Sequence, residues 1–187
     1  MKTARVKQPG ILGDLGISRV AALAGLIVVA LALQTTILTR ATLLGVIPQL
    51  LFVVVVSLAY TDGERVGLVT AFFAGVFVDL LLDDPTAIMG LTALVYTMIA
   101  YGVGTFTRYA TSESAWTPVM VVAGSSAIAE VAYASLSIIM GAQWVSLTYT
   151  AQLAGLVVLY NTLLTPFVFP VVRRVADRFR PERIYRW

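Results

Sequence analysis

The chain of 187 residues has neither cysteine nor histidine. Without cysteine there can be no disulfide, thiolate nucleophile, iron–sulfur cluster or zinc–thiolate site. Without histidine the commonest general base and metal ligand is missing, so neither a Ser–His–Asp nor a Cys–His centre can be assembled. Charge is scarce as well. Asp, Glu, Lys and Arg make up 12% of the residues, about half the share found in soluble domains. Hydrophobic residues make up 59%, too many for a soluble domain of this size to cover with polar surface. The same figures exclude disorder, collagen and coiled coil. A phosphate-binding glycine loop is also missing, since Gly102-Val103-Gly104 is followed by no third glycine and follows no strand pattern. With no catalytic set to build on, the expectation is a protein that is not an enzyme and has no cofactor or metal.

What the chain does have is long uncharged runs. Residues 20–38, 41–61 and 85–107 carry no charge, 66–82 is broken only by Asp79, and 114–172 only by Glu130. The last run is too long for one crossing at about 20 residues per helix. It divides at Gly141-Ala142-Gln143-Trp144, where a tryptophan suits a membrane interface. The runs are too long and too uniformly apolar for barrel strands. The predicted fold is therefore an all-α membrane protein with six transmembrane helices in residues 20–172. A basic tail precedes them at 1–19 and another follows at 173–187.

The basic residues orient this bundle. Six spans place Lys2, Arg5, Lys7, Arg19, Arg65, Arg108, Arg173, Arg174, Arg178, Arg180, Arg183 and Arg186 on one side and Arg40 on the other. The positive-inside rule makes the rich side cytoplasmic, with both termini there. Topology and attraction to anionic lipid account for the net charge of +3, and nucleic acid is not expected as a partner. Residues 20–32 have the length of a signal-peptide core, and Ala30-Leu31-Ala32 fits a cleavage pattern. The run continues to Leu38, which favours a retained span.

Two spans should be irregular. Pro48 to Tyr60 covers about 20 Å as helix, short of the roughly 30 Å hydrocarbon core. Either residues 41–47 complete the crossing before a proline kink, or they form a bent lead-in that protein must cover. The sixth span carries Pro166, which leaves the Thr162 carbonyl without its helical donor, and Pro170. The tail after Val172 reads as a short interfacial helix ended by Pro181.

Small residues recur at a spacing of four, as in Ala21/Gly25, Ala71/Gly75, Ala100/Gly104, Ala123/Ala127 and Ala151/Gly155. Such faces let helices approach closely in lipid. They serve internal packing, or they receive a helix from another protein; the partner candidates are Ala71, Gly75, Ala123, Ala127, Ala151 and Gly155. Glu130 falls near the midplane, with Tyr96, Thr97 and Asn161 at similar depth. A lone acid there is either a proton or solute site, or a protonated carboxyl sealed in a polar cluster that fixes packing. Asp79 lies about 5 Å inside the outer end of its span. Gln34 and Thr36 lie at that depth in span one and Arg40 just beyond. They predict a polar cluster between spans one and three, or an interfacial acid reached by water.

Several of these segments resemble one family. Leu33-Gln34-Thr35-Thr36, Pro48-Gln49-Leu50-Leu51, Ala71 to Leu81 with its Gly75-x-x-x-Asp79 core, and Gly90 to Gly104 follow in the order of the MreD family of bacterial rod-shape-determining membrane proteins. Ala71 stands where that family usually has glycine. The resemblance covers residues 33–104. It implies a six-helix inner-membrane protein of the wall-elongation machinery that works with MreC, in a complex with MreB, RodA and a class B penicillin-binding transpeptidase. It further implies similarity to the fold of the substrate-binding subunits of energy-coupling-factor vitamin transporters, without carrying transport over. From the residues alone, a small-solute transporter subunit using Glu130, Asn161 and Tyr96 remains the alternative to a scaffold.

Overall fold

The computed structural model describes residues 16–40, 46–81, 88–109, 114, 116–141 and 147–179, with only the backbone for 147–150. These residues form six α-helices: α1 (Gly16–Thr36), α2 (Leu50–Asp62), α3 (Glu64–Leu81), α4 (Leu91–Tyr109), α5 (Thr117–Ile139) and α6 (Leu147–Arg178). A single turn of 3-10 helix, Leu38–Arg40, follows α1.

The short helix is the centre of the bundle. Every residue of α2 from Leu51 to Ala59 is buried, and α2 touches each of the other five helices. A helix apolar on every side has this place open to it. Its Val53–Val56 run is a poor helix former in isolation, so packing from all sides holds it helical. The surrounding helices turn large apolar side chains outward. Val28, Phe72, Met98, Ile128 and Phe167, one from each of α1, α3, α4, α5 and α6, are all at least half exposed. In water such a surface would aggregate; in a bilayer it is the lipid face. The chain is an all-α membrane protein. Three segments, Gly16–Arg40, Thr117–Ile139 and Ala151–Arg178, are long and apolar enough to cross by length and composition. α2 is too short, and α3 carries Glu64, Arg65 and Asp79.

Glycines set the tightest contacts. A Cβ on Gly75 of α3 would lie 2.3 Å from Ala93 Cα of α4, and one on Gly104 of α4 would lie 2.4 Å from Glu64 Cα. The backbones of α3 and α4 therefore touch at both ends of their shared face. Gly63, at φ +82°, makes the one-residue turn from α2 into α3, a conformation that side chains resist.

Both tails differ from expectation. α1 begins at Gly16, so Arg19 sits inside a helix, not in a basic tail, and it is buried against Asp62. Pairing with Asp62 offsets much of the cost of taking the arginine out of water. At the other terminus the helix expected after Val172 is not a separate interfacial segment but the continuation of α6, which runs unbroken to Arg178. Its 32 residues reach about 48 Å, beyond the thickness of a bilayer. Val172 and Ala176 are buried, which keeps the extension on the bundle, while Arg173 and Asp177 pair along its exposed face at 3.7 Å. Pro166 and Pro170 lie inside this helix. Next to the first, the Thr162 and Thr165 hydroxyls donate to the Val158 and Asn161 carbonyls.

Candidate functional site

α2 starts inside the bundle. Residues 47–49 before it are not helical, and Val46 and Pro48 are buried. The first amides of any helix lack internal acceptors, and within a bilayer water cannot supply them. Side chains from two other helices do. The Gln49 backbone N–H donates to Asn161 Oδ1 of α6 at 3.2 Å, and the Leu51 N–H donates to Gln34 Oε1 of α1 at 2.9 Å. Asn161 is fully buried, and its Nδ2 donates to Ser126 Oγ of α5 at 3.1 Å. Gln49 Nε2 donates to Glu130 Oε1 of α5 at 2.8 Å. Four helices thus meet in one polar cluster. It lies about 20 Å along α2 from Asp62, well short of the far boundary of a roughly 30 Å core.

This arrangement sorts the expected residues. Glu130, Asn161 and Gln34 belong to the cluster. Gln49 was missed, because a residue in a non-helical lead-in has no periodicity to give it a face. Tyr96 is buried with its ring edge-on to Phe52, centroids 5.1 Å apart, and the Thr97 hydroxyl bonds the Ala93 carbonyl. Neither is hydrogen-bonded to Glu130. Among the described residues no group of three Asp, Glu, His or Cys could hold a metal ion.

Asp79 lies elsewhere than predicted. Its Oδ2 accepts the N–H groups of Gly90, at 2.9 Å, and Ala93, at 3.2 Å. It therefore caps α4, where a carboxylate also meets the positive end of the helix dipole. The reason is register: Asp79 follows Gly75 by one turn, on the face of α3 that grips α4. Of its expected partners, Gln34 caps α2, the Thr36 hydroxyl bonds the Ala32 carbonyl at 2.5 Å, and Arg40 is exposed. None of the three bonds Asp79.

At the opposite end of the bundle are ion pairs that charge counting read only as topology. Arg19 meets Asp62 at 2.9 Å with both side chains buried, and Arg108 meets Glu64 at 2.8 Å. The first ties α1 to α2 and the second α3 to α4. The acidic pair flanking Gly63, in a loop assigned to the basic side, was the available signal.

The small-residue faces divide in the same way. Ala71 and Gly75 are buried, with Gly75 against α4, so they serve the fold. Ala127, Ala151 and Gly155 are exposed and Ala123 is partly so. A family model described as rod shape-determining protein MreD matches residues 17–175, from the first turn of α1 almost to the end of α6. The chain belongs to the MreD family. The match extends the sequence resemblance through α5 and α6 and brings Glu130, Asn161 and the Arg173–Arg174 extension within MreD. It assigns a role in determining rod shape, in a family of structural membrane proteins. Comparison with curated proteins finds no match, and comparison with solved structures finds none.

Proposed function

We propose that this MreD-family chain is a multi-pass, non-enzymatic scaffold of the bacterial inner membrane, with both termini cytoplasmic. In this reading it binds the transmembrane helix of MreC and so helps position peptidoglycan synthesis, in a larger complex with RodA, a class B penicillin-binding transpeptidase and MreB. One observation carries the reading: the amide and charged side chains of the interior join helix to helix, while the surface left over is apolar helix face. Gln34 and Asn161 accept backbone amides at the start of α2, and the Gln49 side chain donates to Glu130 of α5. Asp79 accepts backbone amides of α4, while Asp62 and Glu64 pair with Arg19 and Arg108 across helices. A protein built this way has lipid-facing helix surface with which to bind partners. The test is co-purification of full-length MreC with the intact chain in mild detergent. Retention supports the scaffold, and failure of MreC to bind removes it.

A second reading rests on the interrupted start of α2 beside Glu130, since broken helices and buried acids mark solute sites in transporters. Tight binding of a vitamin-like solute by purified chain, lost in Glu130→Gln, would replace the scaffold with a transporter subunit.

A further inference from the structure

A groove of about 620 Å³ runs between α4 and α5 on the lipid face. It extends from Phe106 and Thr117 near the cytoplasmic end to Val95 and Ala132 deeper in the bilayer, about 16 Å along α4 and about 22 Å along α5. Gly102 of α4 and Gly124 of α5 both line it, and a Cβ on either would meet nothing within 4 Å. They contrast with Gly67, Gly75 and Gly104, whose bare Cα atoms lie against neighbouring helices of this chain. Ser125 lines the same groove. The residue is 7% exposed, and among the described residues its hydroxyl has no hydrogen-bond partner. It lies about 12 Å along α5 from Thr117, inside the hydrocarbon, where water and lipid esters do not reach.

We propose that this groove seats a transmembrane helix of another chain, one that presents small residues to Gly102 and Gly124 and a hydrogen-bond acceptor at the depth of Ser125. Complementarity selects the occupant. None of the lining residues is ionisable, so the seated face is uncharged. A lipid tail fills apolar space but has no acceptor, and it leaves the partial positive charge of the Ser125 proton unmatched. A helix supplies a carbonyl or hydroxyl, and the two glycines allow the close approach that this needs. The proposal rests on the partner reading above and adds the surface that reading lacked.

The test uses full-length MreC as the probe, co-expressed with the intact chain. In Gly102→Leu/Gly124→Leu each added Cβ meets none of this chain's atoms within 4 Å, and the side chains beyond it fill the groove. Thermal unfolding should stay at the wild-type value while retained MreC falls about tenfold. Ser125→Ala should lower retention about threefold, and Gly25→Leu on α1 should leave it unchanged. Because the chain has no cysteine, Gly124→Cys can be scanned against single cysteines along the MreC transmembrane helix under a mild oxidant. Cross-links should recur every three to four residues. If wild type and the double leucine variant retain MreC equally, the groove is wrong and the partner reading stands. If wild type retains no MreC, both fall. Loss on Gly155→Leu alone would move the seat to α6, and cross-linking of Gly124→Cys to a second copy would make the groove a self-contact; either overturns the proposal.

Discussion

Gln49 and Glu130 stand 81 residues apart in the chain, yet the Gln49 side-chain amide donates to the Glu130 carboxyl oxygen at 2.8 Å. The contact ties the lead-in of the central helix to α5. The carboxyl group is needed there as an acceptor, and an amide oxygen can do the same. Glu130→Gln should therefore cost less than about 1 kcal/mol, while Glu130→Leu, which strands the Gln49 amide, should cost about 1–3 kcal/mol. Thermal or denaturant unfolding in detergent measures both. Equal losses would mean that charge, not hydrogen bonding, is what the site requires.

Asn161 serves two bonds at once, as acceptor for the Gln49 N–H and donor to Ser126. Asn161→Leu should destabilise by about 2–4 kcal/mol and Gln34→Leu by about 1–3 kcal/mol. Both cap the start of α2, so the double variant should lose less than the sum. Strict additivity in a double-mutant cycle would show that the two caps act independently.

Asp79 caps α4 through two backbone amides. Asp79→Asn keeps an acceptor and loses mainly the charge–dipole attraction, about 0.3–1 kcal/mol. Asp79→Leu leaves amides unmet, at about 1–3 kcal/mol. Arg40→Ala, at an exposed residue, should be silent in the same unfolding assay. A stability loss in Arg40→Ala matching that of Asp79→Leu would restore the cluster between spans one and three.

Gly75 has no room for even a methyl group, with Ala93 Cα 2.3 Å from its Cβ position, whereas Gly155 faces open space. Gly75→Ala should cost about 1–3 kcal/mol or more through overpacking. Gly155→Ala should be neutral or slightly stabilising, because alanine favours helix. Comparing membrane accumulation and unfolding of the two variants checks this. A stable Gly75→Ala chain would mean that α3 and α4 are farther apart than described.

Arg19 and Asp62 form a buried pair at 2.9 Å. Arg19→Ala should destabilise by about 3–5 kcal/mol, and replacing both with apolar residues of similar size should recover most of that loss. If the double apolar variant is as unstable as Arg19→Ala, the pair is needed for the fold itself and not only for neutrality.

The sequence by itself determined the solvent, the number of helices and their approximate extents. Those follow from hydropathy and charge along the chain, and a bilayer reads them directly. It also marked Glu130 and Asn161 as interior polar residues, because an uncharged run makes any polar group conspicuous. Tertiary structure alone decided their partners. Gln49 meets Glu130 only because α2 starts inside the bundle, leaving Gln49 in a non-helical lead-in within reach of α5, and Asp79 meets α4 rather than α1 because Gly75 lets α3 and α4 touch. The same holds for the small-residue faces. Spacing of four marks a glycine that allows close approach, but whether that approach is filled from within, as at Gly75, or left open, as at Gly102 and Gly124, depends on which helix lies alongside. Pairing of that kind is set by three-dimensional contact across the bundle, and no local pattern in the chain encodes it.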